Sequence, residues 1–274
     1  MQTPTTERRV KVQGGFRIRP GVITAAAIPV LALVLYYILS SKPAFVKDFI
    51  SGFSLPTRQI LGKIFSFVPF SMMELFYTAA GVLLLVFIGR TVYLIVRRDK
   101  KFRTLLYRLL TLILVALYIF AAYSWLFGID YLGESFAEKN GLDYTATELS
   151  SLISVTEYFA ERTNTLAQEV PRGKDGQYAC NETAVFDYSV HVYDSLANEF
   201  SSLGCTYYRP KVMLFSDIMS RMGFTGVYFP FTGESNINTD PPDSLMPFTI
   251  AHELAHQSGI TAEDEANFVG ILGC

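Results

Sequence analysis

His252 and His256 stand four residues apart in the stretch PFTIAHELAHQSGITAEDEANF, with Glu253 directly after the first of them. On an α-helix, residues i and i+4 share a face, so the two imidazoles can be presented to one metal ion. Glu253 is rotated by about 100° from His252. There it can reach a water on the ion rather than the ion itself. Zinc suits such donors and lowers the pKa of a bound water to about 7. The spacing therefore points to Zn2+-dependent hydrolysis, with His252 and His256 as metal ligands and Glu253 as general base. The competing reading is an amphipathic surface helix whose histidines are simply solvated.

Catalytic zinc usually takes three protein ligands and keeps one position open. The remaining histidine, His191, is far upstream, so the acids after the motif are the natural source of the third ligand. Pro247 suits the first turn of the motif helix, and Gly259 can end it. Thr261, with Asp264 three residues on, resembles a capping box that opens a second helix. Glu263 and Asn267 share a face of that helix. Glu263 is therefore taken as the third metal ligand, and Asn267 as the group that steadies a ligand histidine. Glu265 lies about 200° around the helix from Glu263 and is kept as the alternative ligand. Tyr228 and His191 are candidate stabilisers of a developing oxyanion.

The elements that carry this motif divide into two halves, a membrane region over 1–128 and a soluble domain over 129–274. Half of the 274 residues are hydrophobic, and they crowd into the first half. Three runs match the roughly 20 residues that a hydrocarbon core requires: 21–40, 75–96 and 105–128. Pro29 is tolerable inside a membrane helix, and Arg90 can snorkel from near one end. The segment 41–70 has the apolar spacing of a helix lying on the membrane surface. Arg8, Arg9, Lys11, Arg17 and Arg19 precede the first run, and Arg97, Arg98, Lys100, Lys101 and Arg103 join the second to the third. The positive-inside rule puts both clusters, and the N-terminus, in the cytoplasm and the C-terminal domain outside it.

Net charge is −2, which gives no polyanion-binding surface, and no nucleic-acid motif is present. In the soluble half, 145–170 has helical spacing. The stretch TAVFDYSVHVYDSLANEF reads as a helix, with a strand as the alternative. TGVYFPFTGESNIN reads as a strand followed by a polar turn. Cys180 and Cys205 fall in the outside domain, where a disulfide is one expectation and two free thiols the other.

HELAH followed by EDEAN resembles the zincin metallopeptidases that use two histidines and a glutamate; their E-x-x-x-[DN] pattern maps onto Glu263 and Asn267. The separation of His256 from Glu263 is shorter than that class usually shows. Zincins bind an extended peptide along an edge strand beside the active helix; the resemblance makes residues 225–231 the candidate for that strand, with a plain core strand as the alternative. More of the chain, through FVPFSMME, LGESFAEKNGLDYTATELSSL, GFTGVYFPFTGESNIN and MPFTIAHELAHQSGITAEDEANF, resembles the bacterial membrane family called domain of unknown function 3810. The resemblance implies a multi-pass protein of the bacterial cytoplasmic membrane with a zinc-peptidase-like domain, and it implies no particular substrate. Such chains continue further, so an incomplete C-terminus at Cys274 is also an expectation. The expected fold is an α-helical membrane region with three transmembrane helices plus an α+β zincin-like soluble domain. The expected partners are the lipid bilayer and a peptide or protein substrate. A non-catalytic zinc-binding envelope protein, with a sensing or accessory role, is the alternative function.

Overall fold

The computed structural model describes residues 20–97, 101–142, 148–174 and 176–274. Most of the basic residues used for orientation (Arg8 to Arg19, Arg98 and Lys100) lie outside the described residues. Among the described residues, three helices are long and apolar enough to cross a membrane: α1 (Pro20–Ser40), α4 (Met72–Arg97) and α5 (Lys101–Leu126). Almost none of their side chains is buried in the isolated chain, as expected where lipid is the solvent. Pro29 has no N–H to give to the carbonyl of Ala25 one turn earlier. The hydroxyl of Tyr118 on α5 donates to that carbonyl at 2.9 Å, so the break also ties α1 to α5.

The segment expected to be a helix on the membrane surface is helical in pieces, with part of it buried against the chain. Helix α2 (Pro43–Phe49) runs through a π-helical turn, Ile50–Ser54, into α3 (Leu55–Phe65). Arg58 on α3 is buried and pairs with the equally buried Asp130, in the 3-10 turn Gly128–Leu132 that follows α5. Ser54 donates a second hydrogen bond to Asp130, at 2.8 Å. Isolated arginines are almost never fully buried, so this pair marks α3 as interior. Gly62 on α3 lies against the Tyr208 ring and the carbonyl of Gly233, where a Cβ would collide.

The rest is mostly helical with one small sheet. Helices α6 (Phe136–Asn140) and α7 (Leu149–Leu166) come first. The apolar stripe of α7 is not buried. Helix α8 (Glu182–Tyr188) is short and passes into isolated 3-10 turns rather than continuing as one helix. Strand β1 (Lys211–Val212), α9 (Ser216–Met222), β2 (Gly226–Phe229) and β3 (Glu234–Ile237) follow, then α10 (Met246–Gln257) and α11 (Glu263–Gly273). The strand order is β1-β3-β2, with β1 parallel and β2 antiparallel to the central β3. Helix α10 lies over β2 and β3 and is buried along nearly its whole length, with Ile250, Ala251, Leu254 and Ala255 in the core. Cys180 and Cys205 are both free, so the expected disulfide is not formed.

Candidate metal centre

Helix α10 is held in place by polar groups at both ends of the motif. The Tyr193 hydroxyl donates to the carbonyl of Ala251 at 2.6 Å, and the Ser235 hydroxyl on β3 donates to that of Glu253 at 2.8 Å. Gln257 is buried and bonds the Tyr208 backbone through both ends of its amide. Pro247 occupies the first turn, as expected. After α10 the chain reverses through Gly259, whose φ of +95° suits glycine. Helix α11 then packs back along α10, with Gly270 close against the His252 backbone. Its cap is Ala262, with no side-chain bond, so the expected Thr261–Asp264 capping box does not form.

This reversal brings His252, His256 and Glu263 together. Their ligating atoms all lie within 4.8 Å of one another. Glu263 is 3.1 Å from Nε2 of His252 and 3.6 Å from Nε2 of His256. Donors about 2.0–2.2 Å from one zinc ion are separated by similar amounts. Nδ1 of His256 sits 2.6 Å from the carbonyl of Ile260. A proton on Nδ1 makes that bond and leaves the Nε2 lone pair directed at Glu263. The backbone thus does the steadying that was assigned to Asn267, which lines the cavity without bonding either histidine. Burial, with His252 nearby, holds His256 below its usual pKa and so in the neutral form that ligates.

Glu253 is 4% exposed, and its Oε2 has no hydrogen-bond partner. Burial, and then the charge of Glu263, push its pKa well up, against the backbone N–H of Tyr228. Glu253 lies against β2 because residue 226 is glycine. A Cβ there would come within 2.5 Å of the carboxylate. Gly226 is thus a site residue that motif reading missed, and its only signal in sequence is a glycine inside a strand pattern.

Two carboxyl groups and two imidazoles meet at this cavity, and among the described residues no lysine or arginine lines it with them. A buried oxygen without a partner is costly unless something occupies the space before it. The donors, their spacing and these two features fit a divalent cation. The cavity in front of them, about 400 Å³, is bounded by β2, by α10 and α11, and by Phe127 and Tyr131 just past α5. Strand β2, within the 225–231 stretch, lies at an edge of the sheet and not at its centre.

Glu265 turns elsewhere. Its carboxylate accepts the backbone N–H groups of Phe136 and Ala137, at 2.9 and 3.0 Å, at the start of α6. His191 is exposed, pairs with Asp194 at 2.8 Å, and lines a different surface hollow. It is therefore not an oxyanion stabiliser for this cavity. Tyr228 does line the cavity, its ring 6.2 Å from that of His256. Burial pushes its phenol up to about 12 although Arg58 pulls it down, so it stays a proton donor.

No curated protein and no solved structure matches the chain. One family model does, over residues 49–274, a span that takes in α3, α4, α5 and the residues His252, His256 and Glu263. The chain belongs to that family, described as a protein of unknown function (DUF3810).

Proposed function

We propose that the protein is a membrane-anchored zinc metallopeptidase of zincin type. Its C-terminal region stands outside the cytoplasm, as the positive-inside rule assigns it. His252, His256 and Glu263 hold the zinc. The metal supplies a Lewis acid for the scissile carbonyl and an opposing charge that brings the Glu253 pKa back down. Glu253 then takes the proton from the attacking water at its unpartnered oxygen and passes it to the leaving amine. Tyr228, which lines the cavity, serves as the donor to the oxygen of the carbonyl under attack. The substrate backbone lies along the outer edge of β2, pairing as an added strand. The observation that carries this reading is the buried, unpartnered Glu253 carboxylate beside three converging ligand atoms. A structural metal site needs no such base.

The test uses the full-length protein in detergent and a peptide library. Wild type should contain bound zinc, and His252→Ala should lose it. Glu253→Gln should retain the zinc while chelator-sensitive cleavage falls by about 10²–10⁴, the usual worth of general acid–base help. Equal cleavage by Glu253→Gln and wild type would remove Glu253 from its role.

A further inference from the structure

Helix α9 is amphipathic in the reverse sense for a helix bathed in water. The side that faces the sheet carries serines. The hydroxyl of Ser216 donates to the carbonyl of Met213 at 2.9 Å, and that of Ser220 accepts from Asn238 at 2.9 Å. At about 100° per residue, Phe215, Ile218 and Met222 fall together on the opposite side. Ile218 is 52% exposed and Met222 is 62% exposed. Leu214, Phe215 and Phe224, which flank the helix, are exposed as well. Asp217 and Arg221 sit between the two faces and pair with each other at 3.2 Å. A helix that turns serine inward and isoleucine and methionine outward has its apolar face toward something other than water.

Where the segment is tied identifies that environment. The backbone N–H groups of Leu214 and Phe215 donate to the carboxylate of Glu74, at 2.9 and 2.7 Å. Glu74 is in the first turn of the membrane-crossing helix α4. The next residues of that helix hold the end of β2, with the Phe229 ring 6.3 Å from Phe76 and 5.7 Å from Tyr77. Phe67 and Phe70, just before α4, are exposed. Aromatic side chains at the end of a span are the usual mark of the headgroup level. The N-terminus of α9 is thus tied to the first turn of α4, the end of a helix apolar enough to cross a membrane.

We propose that Leu214 to Phe224 form a membrane-seated lip, with α9 in the headgroup region and its Phe215–Ile218–Met222 face toward the acyl chains. Gly223 and Phe224 at the end of this lip also line the metal cavity. The cavity therefore opens at the bilayer surface. Together with the peptidase reading, on which this step rests, the polypeptide taken is one tethered in the same bilayer, cut just outside its anchor.

Lipid contact can be tested without any activity. Trp125 is the sole tryptophan, so single tryptophans placed on a Trp125→Phe background report one site each. In phosphatidylcholine proteoliposomes with brominated acyl chains, Ile218→Trp and Met222→Trp should be quenched at least twofold more than Asp217→Trp, with blue-shifted emission. Equal quenching at all three positions would overturn the lip. Delivery is read separately with Ile218→Asp plus Met222→Asp. Zinc content should stay at the wild-type level, and cleavage of a peptide with a transmembrane anchor should fall about tenfold relative to the same peptide free in solution. An equal fall on both peptides would overturn the delivery role. If the quenching pattern held and wild type cleaved neither peptide, the lip would stand and the peptidase reading would be the one in error.

Discussion

Glu263 and Glu265 are the same residue type two positions apart, and the helix turns them to opposite tasks. Glu263 reaches both histidines, whereas Glu265 takes the N–H groups that α6 leaves unpaired at its start. Replacing Glu263 by alanine should reduce zinc content by about 10–100-fold or more. Glu265→Ala should leave zinc in place and lower stability by about 1–3 kcal/mol, the worth of hydrogen bonds to a charged group. Metal analysis beside thermal unfolding separates the two, and the reverse order would move the ligand role to Glu265. Glu253 supports a second prediction. Its folded pKa is raised, chiefly by burial. In metal-free protein, folded and unfolded chains both hold the proton at low pH. As pH climbs past about 4.3 the unfolded chain ionises first, and stability drains away until the raised folded value is passed. His256, held low, shifts stability in the opposite sense, so the comparison must be with Glu253→Gln rather than with pH alone. After chelation, the melting advantage of Glu253→Gln over wild type should grow from about pH 4 to pH 7, and zinc should shrink it. An advantage independent of pH would show that Glu253 is not a desolvated carboxyl.

Among the elements, the connector α2–α3 departs furthest from what the sequence suggests. The three membrane helices were legible because an apolar run of that length has few other uses. That His252 and His256 share one face of α10 was legible because residues four apart on a helix must. Arg58 and Asp130 were not, because 72 residues separate them and each is ordinary in its own neighbourhood. The short pieces after α8 escaped for another reason: 3-10 turns and a two-residue strand have too little periodicity to leave a pattern. Yet Arg58 lies directly behind the cavity wall, its guanidinium 5.1 Å from the Phe127 ring and 5.9 Å from that of Tyr228. Removing one member of a buried pair leaves the other desolvated and alone. Arg58→Met should therefore destabilise by about 3–5 kcal/mol, while Arg58→Met with Asp130→Leu should recover most of that loss. Thermal unfolding in detergent decides it. A double variant as weak as the single one would mean that the arginine acts through its ring contacts rather than through the ion pair.

At the scale of the whole molecule, the sequence division at residue 128 falls in the middle of a polar network. The carboxylate of Asp130 is met by Arg58 and Ser54, and the carbonyl of Gln257, one residue past His256, accepts from Gln59 at 2.7 Å. The ammonium of Lys211 donates to the carbonyls of Phe65, Ser66 and Val68, where α3 ends. Glu74 anchors the start of α9. Every one of these partners lies before residue 128, and several are buried. A fragment comprising 129–274 would lose Gln59 from the Gln257 carbonyl and Glu74 from the start of α9, and would leave Asp130 and Lys211 without their partners. Burial without partners is costly. Such a fragment should therefore aggregate or bind zinc at least tenfold more weakly than the full chain, whereas a piece beginning at residue 41 and keeping α2 to α5 should bind it normally in detergent. Zinc titration of the two pieces checks this directly. If 129–274 alone bound zinc as the full chain does, the connector would be an accessory to the site and not part of its foundation.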